Sequence, residues 1–231
     1  MQGMVPLSGF GGVPYSAVRK AAPRNILDNS DFTNLVAQAG IGGNHGTIAY
    51  AADRWILDSG TVSYSAGVGL TLNGTIRQKL QYPPTGETSA FVGMASGAAS
   101  ISYADGAVTI TSSGGVLKWA ALYEGSYTAE TLPEYQPKGY GAELAECQRY
   151  FRWLKIGGAV NGNYIGYRIP LSPVMRTNPS TTGININTTS GQATITAGGY
   201  SAESDCFRVD AYIGSDADKW WVCNVALNAD L

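Results

Sequence analysis

The chain has 231 residues, of which 14% are charged, with a formal net charge of −2. No basic run accompanies that balance, which excludes a nucleic-acid surface of the usual electrostatic kind. No window approaches the roughly eighteen apolar residues that a membrane helix needs, and a hydrophobic content of 44% excludes a disordered chain.

Glycine accounts for 30 residues, well above the usual ~7%, and Ser, Thr, Asn and Gly separate short apolar runs. That pattern predicts an all-β protein with tight turns, and the length allows one large or two small domains. Residues 1–23 are rich in Gly and Pro and have no period, so they read as an N-terminal arm with Phe10, Val13 and Tyr15 available to a partner. Polar and glycine breaks within the first twelve residues argue against a signal peptide.

From Asn25 to Thr128 strand signals follow one another closely. Thr61–Ala66 and Leu70–Tyr82 read as a hairpin joined through Gly67 and Gly69. In its second strand Ile76, Gln78, Leu80 and Tyr82 share one face, and Thr75, Arg77, Lys79 and Gln81 share the other. Pro83-Pro84-Thr85-Gly86 is a turn, and Ser89–Met94, Ser100–Tyr103, Val108–Ser112 and Val116–Glu124 follow. The last carries apolar residues on both faces, which predicts a central strand. About eight strands in this span predict a jelly-roll-like β-sandwich over 24–131.

Residues 132–155 predict an extended, proline-bearing linker and then a helix over Gly141–Lys155, with Gly141 as its N-cap. Leu144, Cys147, Phe151 and Leu154 form the apolar stripe, with Glu143 and Glu146 early and Arg149, Arg152 and Lys155 late. Tyr164–Pro170, Ser180–Ile186, Gln192–Ala197, Cys206–Ile213 and Lys219–Ala226 then read as strands of a smaller sandwich over 156–231. The predicted fold is therefore all-β: two jelly-roll-like β-sandwich domains joined by one short α-helix.

Candidates for chemistry are few. Cys147, Cys206 and Cys223 are odd in number and widely spaced, which predicts buried reduced thiols rather than a disulfide framework or zinc site. His45 is the single histidine, in a glycine-rich loop, and without a positioned partner it reads as solvated. Asp28, Asn29 and Asp31 could offer oxygens to calcium, but the set is too small for a complete shell, so capping and turn roles are expected. No nucleophile elbow or cofactor loop is visible, so no catalytic residue, metal site or cofactor is assigned. Asn73-Gly-Thr75 and Asn187-Thr-Thr189 match the glycosylation sequon, a short pattern that by itself assigns no modification. The 5 Trp and 14 Tyr are more informative, because aromatic faces stack on sugars. Trp55, Trp119 and Trp221 read as core. Trp220, Tyr200 and Tyr212 oppose the apolar phase of their strands and are the candidate glycan-binding residues.

Leu122, Glu124 and Gly125, followed by Glu143-Leu144 and Cys147-Gln148-Arg149-Tyr150-Phe151, form a block that resembles tail-fibre and other virion structural proteins of bacteriophages and prophages. Asn25–Phe32 with Ala52–Trp55 resembles the opening of the jelly roll in such proteins, and Pro173–Pro179 the first strand of the domain that follows it. The resemblance spans residues 24–231 and implies a virion setting, as a fibre or head spike made in the bacterial cytoplasm. It also implies a homo-oligomer, with a trimer favoured, held to other virion proteins by the arm and touching a host-surface glycan without membrane insertion. A free bacterial carbohydrate-binding module or adhesin shares the jelly roll and is the alternative. Neither reading calls for catalysis.

Overall fold

The computed structural model describes residues 23–45, 48–160, 164–188, 195–202, 204–213 and 219–229, and within these the side chains of 45, 156–167, 182–202 and 209–224 are not described. Its elements in chain order are β1 (Asn44–His45), β2 (Ile48–Ala52), β3 (Trp55–Ser65), β4 (Gly69–Lys79), β5 (Thr88–Ser96), β6 (Ala99–Ala104) and β7 (Ala107–Glu124). After α1 (Tyr140–Cys147) come β8 (Phe151–Val160), β9 (Tyr164–Pro170), β10 (Ser180–Thr188), β11 (Ile195–Ala202), β12 (Cys206–Ile213) and β13 (Lys219–Asn228). The protein is mostly β, built from antiparallel sheets. Among the described residues no helix is long and apolar enough to cross a membrane.

β1 to β7 form one seven-stranded sheet in the order β1-β2-β3-β4-β7-β5, with β6 also on β7. β3 and β4 make the predicted hairpin: Ser65 pairs Gly69, and Gly67 at φ 75° supplies the left-handed turn. β6 and β7 meet through a two-residue turn, Asp105 at φ 51° and Gly106 at φ 72°, the type I′ geometry that suits strand twist. β5 and β6 run one after the other along a single edge of β7, with Ser96 opposite Val116 and Ala99 opposite Ser112. β4 lines the other edge as far as Leu117. Beyond that point the segment from Asn25 to Asp31 takes over: Ile26 N–H donates to Leu122 O (3.0 Å), and Ala120 N–H to Ser30 O (2.9 Å).

On the inward face β4 buries Leu70, Leu72 and Ile76 with period two, beside Val108 and Ile110 of β7, and the bulge at Gly114 shifts the phase of β7 so that Leu117 joins them. Leu27, Phe32, Leu35 and Trp55 pack onto it from the 25–55 segment. Trp55 is fully buried, as its apolar strand position predicts, with its indole N–H donating to Asn29 O at 2.9 Å. Trp119 is only half-buried, stacked on Tyr135 at 5.0 Å and 9°. Trp221 has no described side chain.

The helix is shorter than its apolar period predicts. α1 ends at Cys147 with Gly139 at its N-cap, and Phe151 opens β8. The competing element is a ten-residue ladder with β13, from Phe151 opposite Asn228 to Val160 opposite Lys219. Aromatic and branched residues from Tyr150 to Ile156 suit a strand at least as well as a helix, and cross-strand pairing outweighs the local period. Of the predicted stripe Cys147 and Phe151 are buried, but in different elements, and Leu144 and Leu154 are half-buried. β8 joins β10-β13-β8, one of two three-stranded sheets that follow α1, the other being β11-β12-β9.

Candidate binding cleft at the joint

Three buried amides build the frame of the site. Asn25 behaves as a piece of strand: its Nδ2 donates to Ala120 O (3.0 Å) and Ser30 Oγ (2.9 Å), and its Oδ1 accepts Leu122 N–H (2.9 Å) and Leu27 N–H (3.2 Å). Gln78 reaches up from β4 and pairs with both backbone groups of Asp28, at 2.7 and 2.9 Å. Asn29, at φ 49°, donates through Nδ2 to Val36 O and Asp53 O and accepts Val36 N–H. Asn is among the few residues that adopt this left-handed geometry at modest cost. The 25–29 segment is thereby held across the sheet.

This fixes the carboxylate of Asp28, which takes Lys138 Nζ at 3.2 Å on one oxygen and Arg54 Nε at 3.4 Å on the other. Asp31 accepts Thr33 N–H (3.0 Å) and its hydroxyl (2.6 Å). Asp28, Asn29 and Asp31 thus have turn, capping and ion-pair roles. Among the described residues no cluster of three or more His, Cys, Asp or Glu is placed to hold a metal ion.

From α1, Glu143 enters the same region almost fully buried. Its Oε2 accepts Asn29 N–H at 2.6 Å, whereas its Oε1 is buried with no hydrogen-bond partner. Burial raises its pKa above the ordinary carboxylate value, opposed by Lys138 at 4.0 Å. The Cys147 thiol is pushed well up, first by burial and then by nearby carboxylates. It is a free, buried thiol, as is Cys206, whose Sγ accepts from Arg168 Nε at 2.9 Å.

The Cys147-Gln148-Arg149-Tyr150-Phe151 block is the weld between the two halves of the chain. Tyr150 O accepts Ala229 N–H (2.6 Å), and Arg149 O accepts Arg176 N–H (2.7 Å). Gln38 Nε2 donates to Phe151 O at 2.8 Å. The Arg54 guanidinium lies 3.4 Å from the centre of the Tyr150 ring. The Tyr150 hydroxyl donates to Gln81 Oε1 at 2.9 Å and stays protonated, its pKa raised by burial.

A cleft opens directly above this weld. One part, about 130 Å³, is lined by Ile26, Asp28, Arg54, Leu80, Gln81, Tyr82, Glu146 and Tyr150. A wider part, about 360 Å³, is lined by Pro23, Arg24, Ile26, Tyr82 and Glu124. The two meet at Ile26 and Tyr82. Tyr82 is 76% exposed, with its hydroxyl accepting Gln81 Nε2–H at 3.1 Å. Arg24 and Glu146 stand 3.7 Å apart on the rim. An open aromatic face beside fixed amide, carboxylate and guanidinium groups can stack on a sugar ring and hydrogen-bond its hydroxyls.

Sequence reasoning missed Tyr82. Strand phase places it on one face with Ile76, Gln78 and Leu80, but β4 ends at Lys79, so alternation no longer governs it. The following Pro83-Pro84, which cannot continue a ladder, was the available signal. Trp220 lies on β13, opposite Ala159. Tyr200 on β11 lies opposite Val209, and Tyr212 on β12 opposite Thr196. The three therefore belong to two different sheets, and their side chains, like those of His45 and Cys223, lie outside the described residues.

No family model matches the chain, and neither the curated proteins nor the solved structures include a significant match.

Proposed function

We propose that this chain is a non-enzymatic component of a phage or prophage virion, a fibre or spike, that contacts host-surface glycan. In this reading residues 24–131 are a jelly-roll-derived unit built on the seven-stranded sheet. The two three-stranded sheets after α1 form a smaller sandwich. The chain assembles as a homo-oligomer, a trimer by preference, with the arm directed to other virion proteins. The support is threefold. The protein is mostly β, the virion-like Cys147–Phe151 block acts as an architectural weld, and two of the three carboxylates lining the cleft are ion-paired, Asp28 with Arg54 and Lys138 and Glu146 with Arg24 and Arg149.

The observation that carries the glycan part is Tyr82, an aromatic ring left 76% exposed beside a polar-lined cleft. Trp220, Tyr200 and Tyr212 remain a second candidate contact region. Single-site affinity is weak in such contacts and rises through multivalency. The test is a glycan array of host-envelope saccharides probed with the wild type, Tyr82→Ala and Trp220→Ala, each checked for an unchanged melting temperature. Loss of binding in Tyr82→Ala places contact at the cleft, and loss in Trp220→Ala places it on the second half. Absence of binding by the wild type overturns the glycan reading. Antibody against the chain should label purified particles in electron micrographs, and unlabelled particles would overturn the virion reading.

A further inference from the structure

The backbone bonds of β7 show which way the outermost strand of the sheet faces. The N–H and C=O of Ala120 and Leu122 are taken by Ser30, Ile26 and the Asn25 amide. Those groups therefore point away from β5. In an antiparallel ladder, opposed residues either exchange both hydrogen bonds or turn both sets of groups outward. Val92 lies opposite Ala120 and Ala90 opposite Leu122, so Ala90 and Val92 direct their own N–H and C=O to the outer side of β5. Among the described residues no strand pairs with that side.

Exposed edges are normally blunted by charge, proline, brevity or bulges. Here Thr88 to Ala104, the full length of β5 and β6, contains no charged residue and no proline. Thr88 to Gly93 pair with β7 in unbroken register, and the register shifts of β5 fall beyond that stretch, at Gly93/Met94 and Met94/Ser96. The other edges differ. The opposite end of this sheet is the two-residue β1. β8 carries Arg152 and Lys155, and β9 carries Arg168. β10 and β11 are each interrupted by a register shift, at Thr182/Asn185 and Ala197/Gly199. β5 is also backed on both faces. Ala90 and Val92 pack on the core, and on the other face Gly93 lies so close under the Trp119 indole that a Cβ would come within 2.2 Å of it. The Thr88–Gly93 edge is thus neutral, unbroken and backed on both faces.

We propose that the outer edge of β5 is the self-association edge of this protein, and that a second copy of the chain adds a strand along Thr88–Gly93. A copy of the same chain fits because a strand without charge meets no like charge when identical chains approach. The backbone groups of Ala90 and Val92 supply the directional bonds, as in β-strand addition generally. The proposal sharpens the oligomeric part of the function above and is independent of the glycan part.

The test uses the full chain at tens of micromolar, with light scattering for mass and amide hydrogen exchange at Ala90 and Val92. The expected result is an oligomer in which these two amides exchange at least about a hundredfold more slowly than on dilution to monomer. Ala90→Pro removes an outward N–H that makes no bond to β7, and Phe91→Lys places a charge on the edge. Each should shift the mass to monomer while tryptophan near-ultraviolet circular dichroism is retained. A monomeric wild type with fast-exchanging amides overturns both this proposal and the oligomer reading. A wild-type oligomer in which those amides exchange fast overturns this edge alone, as does an oligomer unchanged by a folded Phe91→Lys. A monomer in which the two amides are protected overturns the second copy as occupant and assigns the edge to a segment of the same chain. Should Ala90→Pro fail to fold, Phe91→Lys and the wild-type exchange data still decide.

Discussion

Asn25 and Glu143 are both buried polar side chains where the first sheet meets another part of the chain, and they differ in how fully they are bonded. Asn25 uses both ends of its amide, with four partners within hydrogen-bond distance. Glu143 uses one oxygen and leaves the other buried and unpartnered. A neutral amide has matched donor and acceptor ends, so it can replace a missing stretch of strand without burying charge. A buried carboxylate has only acceptors and depends on neighbours such as Lys138 to offset its desolvation. The difference assigns distinct roles. The Asn25–Asn29 stitching holds the fold together, while the joint around Glu143 adds little stability and makes what it adds depend on pH.

The largest effect is expected at Asn29. Replacement by Ala removes three side-chain hydrogen bonds and leaves Val36 N–H, in a buried site, without its Asn29 acceptor. At ~1–3 kcal/mol for the unsatisfied buried group and ~1 kcal/mol for the other bonds lost, the loss should be about 3 kcal/mol. A further ~1 kcal/mol follows from holding Ala in a left-handed conformation. Urea denaturation followed by tryptophan fluorescence measures it, and a loss under about 1 kcal/mol would remove the structural role claimed for the amides.

Gln78→Met should come next, at about 2 kcal/mol, because it preserves volume but leaves both backbone groups of Asp28 unpaired. The same denaturation experiment applies. Since Asp28 faces the cleft, the variant should also weaken any ligand bound there. If stability falls while binding is unchanged, Asp28 is not part of the binding surface.

Some of this organisation can be read in the sequence. The Gly67–Gly69 hairpin, the burial of Trp55 and the central position of Val116–Glu124 follow from local spacing, because turns and alternation are encoded within a few residues. The amide stitching is not legible. Asn25 meets Ala120 across 95 residues, and nothing near Asn25 distinguishes it from an ordinary turn residue. The helix boundary failed for a related reason. The apolar spacing of Cys147, Phe151 and Leu154 fits a helix, while the strand that captures Phe151 is set by β13, far along the chain. Tyr82 was lost because alternation was carried past the end of β4. The Cys147–Phe151 block was visible as a pattern, but its work as a weld depends on Ala229, Arg176 and Gln38, which only the folded chain brings together.

On the joint side, Tyr150→Phe removes the hydroxyl that donates to Gln81 and keeps the ring beneath Arg54. The expected cost is about 1 kcal/mol or less, since Gln81 is only partly buried and Arg149 also reaches its Oε1 at 3.4 Å. A cost above about 2 kcal/mol in urea denaturation would show that the joint carries more stability than its incomplete bonding implies.

The smallest effect at neutral pH, and the most specific, belongs to Glu143→Gln. The Gln oxygen can still accept Asn29 N–H, and an amide nitrogen then occupies the place of the unpartnered oxygen. One imperfect burial replaces another, and the attraction to Lys138 at 4.0 Å is lost, so stability at pH 7 should stay within about 0.5 kcal/mol of the wild type. The pH dependence should change more. Burial raises the Glu143 pKa in the folded state, so the folded protein binds this proton more tightly than the unfolded chain does. The stability linked to it is fully present below the unfolded value, about 4.3, and is lost as pH rises through the folded value. The wild type should therefore lose stability relative to the variant between pH 4 and 7, the Lys138 attraction to the ionised carboxylate offsetting part of that loss. Urea midpoints measured across that range would show the difference narrowing or changing sign in favour of Glu143→Gln as pH rises. Parallel curves would mean that Glu143 is ionised in the fold at no cost, and the contrast with Asn25 would then rest on geometry alone.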